Sequence, residues 1–300
     1  MFAMGFGIDT RLADPSTPER LQAGVVGLGA IGLGVSLSLL RSGRTPVVFD
    51  IRAGAGDPLH GRVDQAPSGA DLARACDVVL VAVLDESQVR EVIMGPEGIL
   101  AGARPGLIVV LLSTVAVPVV HEIAGVCAAH GVHLLDCGVT PGHEAPNNNL
   151  VGFLGGYDDV VARALPVLKD FARAIVHCGP LGSGMTVKIA RNVVSYCAWA
   201  AVDEAVNLAA AAGIPPATMF AALREADAQH PQYLKNLEVR VSDVDVPPER
   251  VANALLTAAK DLRAATDLAA ARGIDLPLTQ LTKPLIRNVF ARNDSSGPAT

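Results

Sequence analysis

Two short segments of this 300-residue chain carry residue types at spacings that can do chemistry. The first is Gly27-Leu28-Gly29-Ala30-Ile31-Gly32, which follows Val25-Val26 and opens a helical run. Glycines at these three positions do three jobs in a phosphate-binding turn. Gly27 permits the tight turn, Gly29 lets the backbone approach a pyrophosphate, and Gly32 allows helix and strand to pack closely. The helix start then offers unpaired N–H groups and its positive dipole end to an anion. The second segment runs Gly182-Ser183-Gly184-Met185-Thr186-Val187-Lys188-Ile189-Ala190-Arg191-Asn192. Lys188 and Asn192 are four apart and share a helical face. The same spacing also occurs on solvated helices, and a lone glycine turn can be structural, so each needs its setting.

Both settings favour chemistry. A second strand, Val47-Val48-Phe49, ends in Asp50, eighteen residues past Gly32; a carboxylate at about 20 is expected to take the ribose 2′-OH of a dinucleotide. Arg52 stands two residues on and could instead hold a 2′-phosphate, so NAD is the first reading of the cofactor and NADP the second. Lysine is scarce: only residues 169, 188, 235, 260 and 283 against nineteen arginines. An ammonium can lose its proton in a buried site, whereas a guanidinium effectively cannot.

The first half alternates short β-rich runs (Ala23–Val26, 46–50, 78–83, 107–112, 133–136, 151–154) with amphipathic stretches (31–42, 69–76, 87–93, 118–129). A last pair, 158–172 as helix and 174–177 as strand, closes it. Strands separated by helical patterns imply a parallel sheet wrapped by helices. After Cys178-Gly179-Pro180 the pattern becomes helical throughout: a long run without Pro or Gly from 185 to 212, then 216–226, 248–272 and 278–292. The expected fold is α/β, a Rossmann-type doubly wound parallel sheet followed by an all-helical C-terminal domain. The expected boundaries are a dinucleotide-binding domain over 1–180, its first 20 residues a loose extension, and a helical substrate and dimerisation domain over 181–300. The long helix is apolar on nearly every face beyond its first two turns (Val193, Val194, Cys197, Trp199, Val202, Val206, Leu208), which calls for burial on all sides. A homodimer interface and a monomer core helix both satisfy that.

Composition narrows the class. Half the residues are hydrophobic and 18% charged, with a net charge of −6, which suits a packed two-domain chain and gives no basic footprint for nucleic acid or an anionic membrane. The N-terminus has neither the basic region nor the apolar run of a secretory leader. The apolar stretch 106–120 is interrupted by Ser113, Thr114 and Pro118, short of the ~18–20 residues of a membrane span. Five cysteines (76, 127, 137, 178, 197) show no CxxC spacing; they read as buried thiols in a cytoplasmic protein, with no metal site.

Taken together the motifs resemble the β-hydroxyacid dehydrogenases, over about residues 23–290. The family's Gly-x-Gly-x-x-Gly loop is met by Gly27, Gly29 and Gly32, and its Ser-Thr after a later strand by Ser113-Thr114. Its substrate loop, usually Asp-Ala-Pro-Val-Ser-Gly-Gly, is similar to Asp136-Cys137-Gly138-Val139-Thr140-Pro141-Gly142. Its Gly-x-Gly-x-x-x-Lys-x-x-x-Asn segment matches Gly182 to Asn192 at every defined position, and its Lys-Asp-Leu matches Lys260-Asp261-Leu262. The resemblance implies an NAD(P)-dependent oxidoreductase acting on a β-hydroxyacid or its semialdehyde. It implies Lys188 as general acid/base and Asn192 as the group that orients substrate. It places Thr140, Pro141 and Gly142 at the substrate carboxylate. It gives Gly27, Gly29, Ala30, Ile31, Gly32, Asp50, Arg52, Val83 and Leu84 to the cofactor, with Thr114 and Lys260 toward the nicotinamide end. Burial and the neighbouring Lys260 are the expected causes of a lowered Lys188 pKa.

The chain departs from the family in its substrate loop. Pro141 replaces a glycine and removes a backbone N–H that can donate to a carboxylate. Gly138 stands where the family often has Pro, Ala82-Val83-Leu84 replaces Met-Leu-Pro, and Leu111 replaces an acid. His143, Glu144 and Asn147–Asn149 follow the altered loop, either as new polar contacts or as a solvated turn. Two other functions compete: an imine-reductase-like enzyme, which typically lacks the lysine, and a non-catalytic dinucleotide-binding protein, which has no use for it.

Overall fold

Runs of Val, Ile and Leu with no polar alternation form strands that must be covered on both faces. The computed structural model describes residues 21–227 and 247–291, and it uses these runs in that way. An eight-stranded sheet is built from β1 (Ala23–Val26), β2 (Val47–Phe49), β3 (Asp64–Gln65), β4 (Val78–Val81), β5 (Ile108–Leu111), β6 (His133–Thr140), β7 (Leu150–Gly155) and β8 (Ala172–Gly179). Its order is β3-β2-β1-β4-β5-β6-β7-β8. Successive residues of one strand serve different cores. Val25, Leu80, Val110 and Leu135 pack on one face beneath α1 (Ala30–Arg41), through Val35 and Leu39. Val26, Val81, Leu111 and Leu134 pack on the other, beneath α2 (Gly69–Ala75), α3 (Glu86–Met94), α4 (Ile99–Gly102) and α5 (Val117–Ala129). Helix α6 (Asp158–Lys169) adds Val160, Ala164 and Val167 to the first core.

The sheet is parallel from β3 through β6, antiparallel between β6 and β7, and parallel again between β7 and β8. The reversal has a simple cause. The link from Thr140 to Leu150 is too short for a crossover helix, which needs about a dozen residues or more. It holds only a 3-10 turn, Gly142–Asn147. Two other details differ from the sequence pattern. β3 is two exposed residues with no periodicity to betray them. Helix α6 stops at Lys169, because Phe171 turns inward to become fully buried and Ala172 begins β8. Ser68 and Asp85 start α2 and α3 by accepting from the N–H groups of Asp71 (3.0 Å) and Gln88 (2.9 Å), as N-cap residues do.

Beyond β8 the described residues are helical: α7 (Ser183–Ala211), α8 (Pro216–Ala226), α9 (Pro248–Arg272) and α10 (Pro277–Ala291). The chain divides into two compact units, 1–192 and 193–300. In the second, Glu204 of α7 caps α10, accepting from the N–H groups of Leu278 and Thr279 and from the Thr279 hydroxyl (2.9 Å). Val193, Val194, Tyr196, Trp199 and Val202 on α7 are exposed. Two of the five cysteines depart from expectation. Cys76, Cys127 and Cys137 are buried, but Cys178 is half-buried and Cys197 exposed.

Phe171 is among the largest fully buried side chains, and it anchors the α6–β8 corner. Truncation to Ala should cost about 3–5 kcal/mol. Urea unfolding of the Phe171→Ala protein, followed by a probe of the sheet, should show a lower midpoint at unchanged slope.

Candidate active site

One row of paired residues crosses the sheet: Phe49, Val26, Val81, Leu111, Asp136, Gly155 and Gly179. On the parallel strands this row marks the carboxyl ends, the edge at which open α/β sheets bind ligands. Just past it lie Asp50, Gly27, Ala82 and Leu112, while β6 alone continues to Thr140. Candidate residues far apart in sequence are thereby brought to one edge.

The glycine loop has the three-part geometry its spacing implies. Gly27 sits at φ 87°, and a Cβ there would lie 2.6 Å from the Ala82 carbonyl oxygen. A Cβ on Gly32 would overlap the Gly27 carbonyl oxygen, whereas one on Gly29 would meet nothing within 4 Å. The open position is the one a pyrophosphate must approach. Gly29 leads into α1 with no capping side chain and no acid in the first turn, so no protein anion competes at Ala30 and Ile31 for the helix start. The residues present therefore fit a dinucleotide.

Asp50 accepts the Leu28 N–H (2.7 Å) and the Arg52 N–H (2.8 Å), and Arg52 closes on it bidentately through Nε and Nη2 (both 3.0 Å). Burial raises the Asp50 pKa, but these hydrogen bonds outweigh it and hold the carboxyl below its ordinary range. With four donors on two oxygens, the carboxylate is at its accepting capacity. A ribose hydroxyl would have to displace the exposed Arg52.

Val83 and Leu84 follow β4, with Leu84 83% exposed. The Ser113 hydroxyl accepts the Val83 N–H (2.9 Å) and donates to the Val83 carbonyl (2.8 Å), stitching this turn to the one after β5. Thr114, next in the chain, is exposed. Its turn is held by Glu86, which accepts the Ala116 N–H (2.8 Å).

β6 delivers a buried Thr140, then Pro141 through a cis peptide bond, then Gly142. A Cβ on Gly142 would lie 3.2 Å from Ile31 Cδ1, so the substrate-loop candidate touches the cofactor-loop candidate. The five polar residues beyond it are largely occupied by the fold. Ser38 of α1 donates to the Ala145 carbonyl (2.6 Å) and accepts the Asn148 N–H (2.9 Å). The Asn148 amide reaches the Ser38 carbonyl (3.0 Å) and the Asp170 carbonyl (2.5 Å). Asn147 and Asn149 donate to Glu144 (3.2 and 3.3 Å). His143 remains 78% exposed.

Lys188, on the second turn of α7, is half-buried with its stem against β6. A Cβ on Gly138 would overlap Lys188 Cβ and lie 2.6 Å from Cγ. Burial first, and then the positive charge of Arg191, hold the Lys188 ammonium below the ordinary lysine value. Arg191 is visible in the sequence only as an i,i+3 spacing from Lys188. Lys260 lies on α9 in the second unit, 75% exposed, with its Nζ 3.4 Å from Asp261. Asn192 is half-buried one turn after Lys188. Cys137, between Asp136 and Gly138, is no nucleophile: burial and the nearby Asp136 push its thiol well above the ordinary range. Sequence reasoning gave no role to Ser113, Asp136 or Arg191, whose partners are distant in sequence or hidden in a common helical spacing.

The family model described as the NAD binding domain of 6-phosphogluconate dehydrogenase matches residues 22–179. The one described as NAD-binding of NADP-dependent 3-hydroxyisobutyrate dehydrogenase matches residues 182–297. The chain is 32% identical to an L-threonate dehydrogenase of Escherichia coli O6:H1, over 94% of this chain and 92% of that one. A 3-hydroxyisobutyrate dehydrogenase structure from Mycobacterium tuberculosis superposes with a TM-score of 0.63 at 26% identity, over 90% and 94% of the two chains. An imine reductase from Streptomyces aurantiacus gives 0.75 at 18% identity, over 91% and 98%, a likeness of fold alone. Fold, glycine loop and family models agree, and the chain belongs to the β-hydroxyacid dehydrogenase family of NAD(P)-dependent oxidoreductases.

Proposed function

We propose that the chain oxidises a small β-hydroxyacid, or reduces the matching semialdehyde or keto acid, with Lys188 as general acid/base. The observation that carries this is the half-buried Lys188 seated on Gly138 of β6, the strand that ends in Thr140, Pro141 and Gly142. Gly27, Gly29, Ala30, Ile31 and Gly32 would hold the pyrophosphate, Asp50 the ribose, and Val83, Leu84, Thr114 and Lys260 the nicotinamide end. Bound there, the nicotinamide dinucleotide supplies or accepts the hydride. In oxidation a neutral Lys188 takes the hydroxyl proton; in reduction its ammonium returns one to the carbonyl oxygen. Asn192 orients that oxygen, and Thr140 and Gly142 receive the carboxylate, without the N–H that Pro141 lacks. Relatives named as L-threonate, 2-(hydroxymethyl)glutarate and 3-hydroxyisobutyrate dehydrogenases support a hydroxyacid substrate. The imine-reductase alternative has only likeness of fold behind it.

The proposed domains are a dinucleotide-binding one over 1–180 and a helical substrate and dimerisation one over 181–300, supported by family models that meet between 179 and 182. A cytoplasmic location is proposed on five free thiols. Among the described residues no helix is long and apolar enough to cross a membrane. The proposed homodimer covers the exposed apolar side chains of α7, Trp199 (67% exposed) chief among them. Light scattering of the wild type should give a dimer mass, and Trp199→Glu should shift it toward monomer.

Assay with NADH or NAD against a panel of semialdehydes, keto acids, hydroxyacids and imines tests the reaction. Lys188→Ala should lose about 10²–10⁴-fold in kcat while still binding NADH; full turnover would favour the imine reading. The pH profile follows from the lowered Lys188 pKa. Oxidation needs the neutral amine and should rise as pH climbs through that pKa; reduction needs the ammonium and should fall over the same interval. Both limbs should lie below the ~10.4 of free lysine. Removing the guanidinium that occupies Asp50 should improve NAD use and weaken NADP use, so the ratio of kcat/KM for NAD over NADP should increase in Arg52→Ala.

A further inference from the structure

The fully buried polar groups include one carboxylate that the proposed reaction does not use. Asp136 of β6 has no exposed surface. It is enclosed by the start of α7. The Gly182 N–H donates to Oδ1 (2.7 Å) and the Met185 N–H to Oδ2 (2.6 Å), one oxygen for each. These two N–H groups belong to the first turn of a helix, where backbone donors have no intrahelical partner. A carboxylate there also sits at the positive end of the helix dipole. The enclosure leaves no room for side chains. A Cβ on Gly155 would lie 2.8 Å from the Gly184 nitrogen and would overlap Asp136 Oδ1. One on Gly184 would lie 2.7 Å from the Asp136 carbonyl oxygen and 2.8 Å from the Gly155 nitrogen.

Two residues along the same strand, and one turn along the same helix, the Lys188 stem rests directly on the Gly138 backbone. Strand β6 therefore touches α7 twice in succession, by a buried charged cap and then by a glycine seat. In this chain a side chain at the seat would displace Lys188 at its Cβ and Cγ, which no rotation of the flexible end can relieve.

We propose that Asp136 is a positioning residue for Lys188: its carboxylate fixes the first turn of α7 to β6, and Gly138 sets the lysine at a defined height beside Thr140 and Pro141. The inference rests on the reading of Lys188 as the acid/base. Helix start, lysine and substrate loop then form one rigid body, because all three are carried by β6. Loosening the cap leaves the glycine loop on β1 untouched and lets the lysine drift from its seat. A displacement of about 1 Å at the reacting atoms costs roughly 10²-fold in rate.

Asp136→Asn keeps the volume but sets an amide NH₂ against one of the two N–H groups. We expect kcat, counted per NADH-binding site, to fall about 10²-fold with the KM for cofactor unchanged. A merely structural defect would lower the number of NADH-binding sites and leave kcat per site as it was. Lysine scarcity supplies a second readout. In protein labelled with ¹³C at lysine Cε, the Lys188 resonance is the one of five absent from Lys188→Ala. In Asp136→Asn it should move toward the position and titration of an exposed lysine. Should Asp136→Asn fail to fold, Gly138→Ala keeps the cap and unseats the stem; the same loss of kcat and the same resonance shift are expected. Wild-type kcat per site together with an unmoved Lys188 resonance, in whichever variant folds, would overturn the proposal. A moved resonance with Lys188→Ala fully active would support the positioning and sink the acid/base reading, so the two fail separately.

Discussion

The geometry of the first unit depends on how closely the start of α7 approaches the sheet. Asp136 accepts two N–H groups from that start, and Gly155 and Gly184 meet there without a side chain between them. Asp136 also stands in the row of paired residues that includes Val26 and Phe49. The residue after Val26 opens the glycine loop, and the residue after Phe49 is Asp50. The row therefore gives one common level to the glycine turn, the Asp50 carboxylate and the start of the lysine-bearing helix. A register slip of one residue in any of these strands would turn its side chains to the wrong face. The two cores, fed by alternate residues of each strand, prevent such a slip.

The two aspartates near this level illustrate how surroundings divide labour between identical groups. Asp136 is sealed, and its acceptors are spent on backbone N–H groups that have no other partner. Asp50 is reached from outside, and its capacity is taken partly by Arg52, a side chain able to leave. One carboxylate is enclosed by backbone and the other is covered by a side chain. Lys188 lies between the extremes. Half-burial and Arg191 favour its neutral form without enclosing it, as the proposed acid/base role requires. A guanidinium in its place would stay charged.

Much of this was legible in the sequence because it rests on local spacing. The three glycines, the strand ending in Asp50 and the i,i+4 pair Lys188/Asn192 each lie within a few turns of chain, and the strand and helix runs follow hydrophobic pattern. Helices α8 and α9 end where their patterns end, and β1 does likewise. What escaped depends on partners far away. Nothing local shows that β6 continues through Gly138 to Thr140, because its extension is specified by pairing with β7 and by the helix laid against it. The antiparallel turn of β7 follows from the length of one link, and β3 is too short to carry a pattern. Asp136 reads as an ordinary residue of a motif until Gly182 and Met185, over forty residues on, are seen to donate to it.

The same distinction bears on substrate choice. The residues after Pro141 could be read as new polar contacts or as a solvated turn, and most are committed within the fold. Asn148 and the Ala145 carbonyl are bound to Ser38 of α1, Asn147 and Asn149 are bound to Glu144, and Ala145 packs where a Cβ on Gly34 would stand 2.6 Å away. This segment is part of the wall of the cofactor helix. Its position follows α1, and its polar atoms are spent before any ligand arrives. Within the proposed substrate loop, the features left to a ligand are the Thr140 hydroxyl and the missing N–H at Pro141, since the exposed His143 faces the Glu144 carboxylate at 3.6 Å. A carboxylate bound at this loop gains fewer backbone donors than a glycine at 141 would allow. Under the proposed reaction, discrimination among hydroxyacids would fall on the Thr140 hydroxyl and on the face of α7 that carries Lys188 and Asn192, next to the β6 strand.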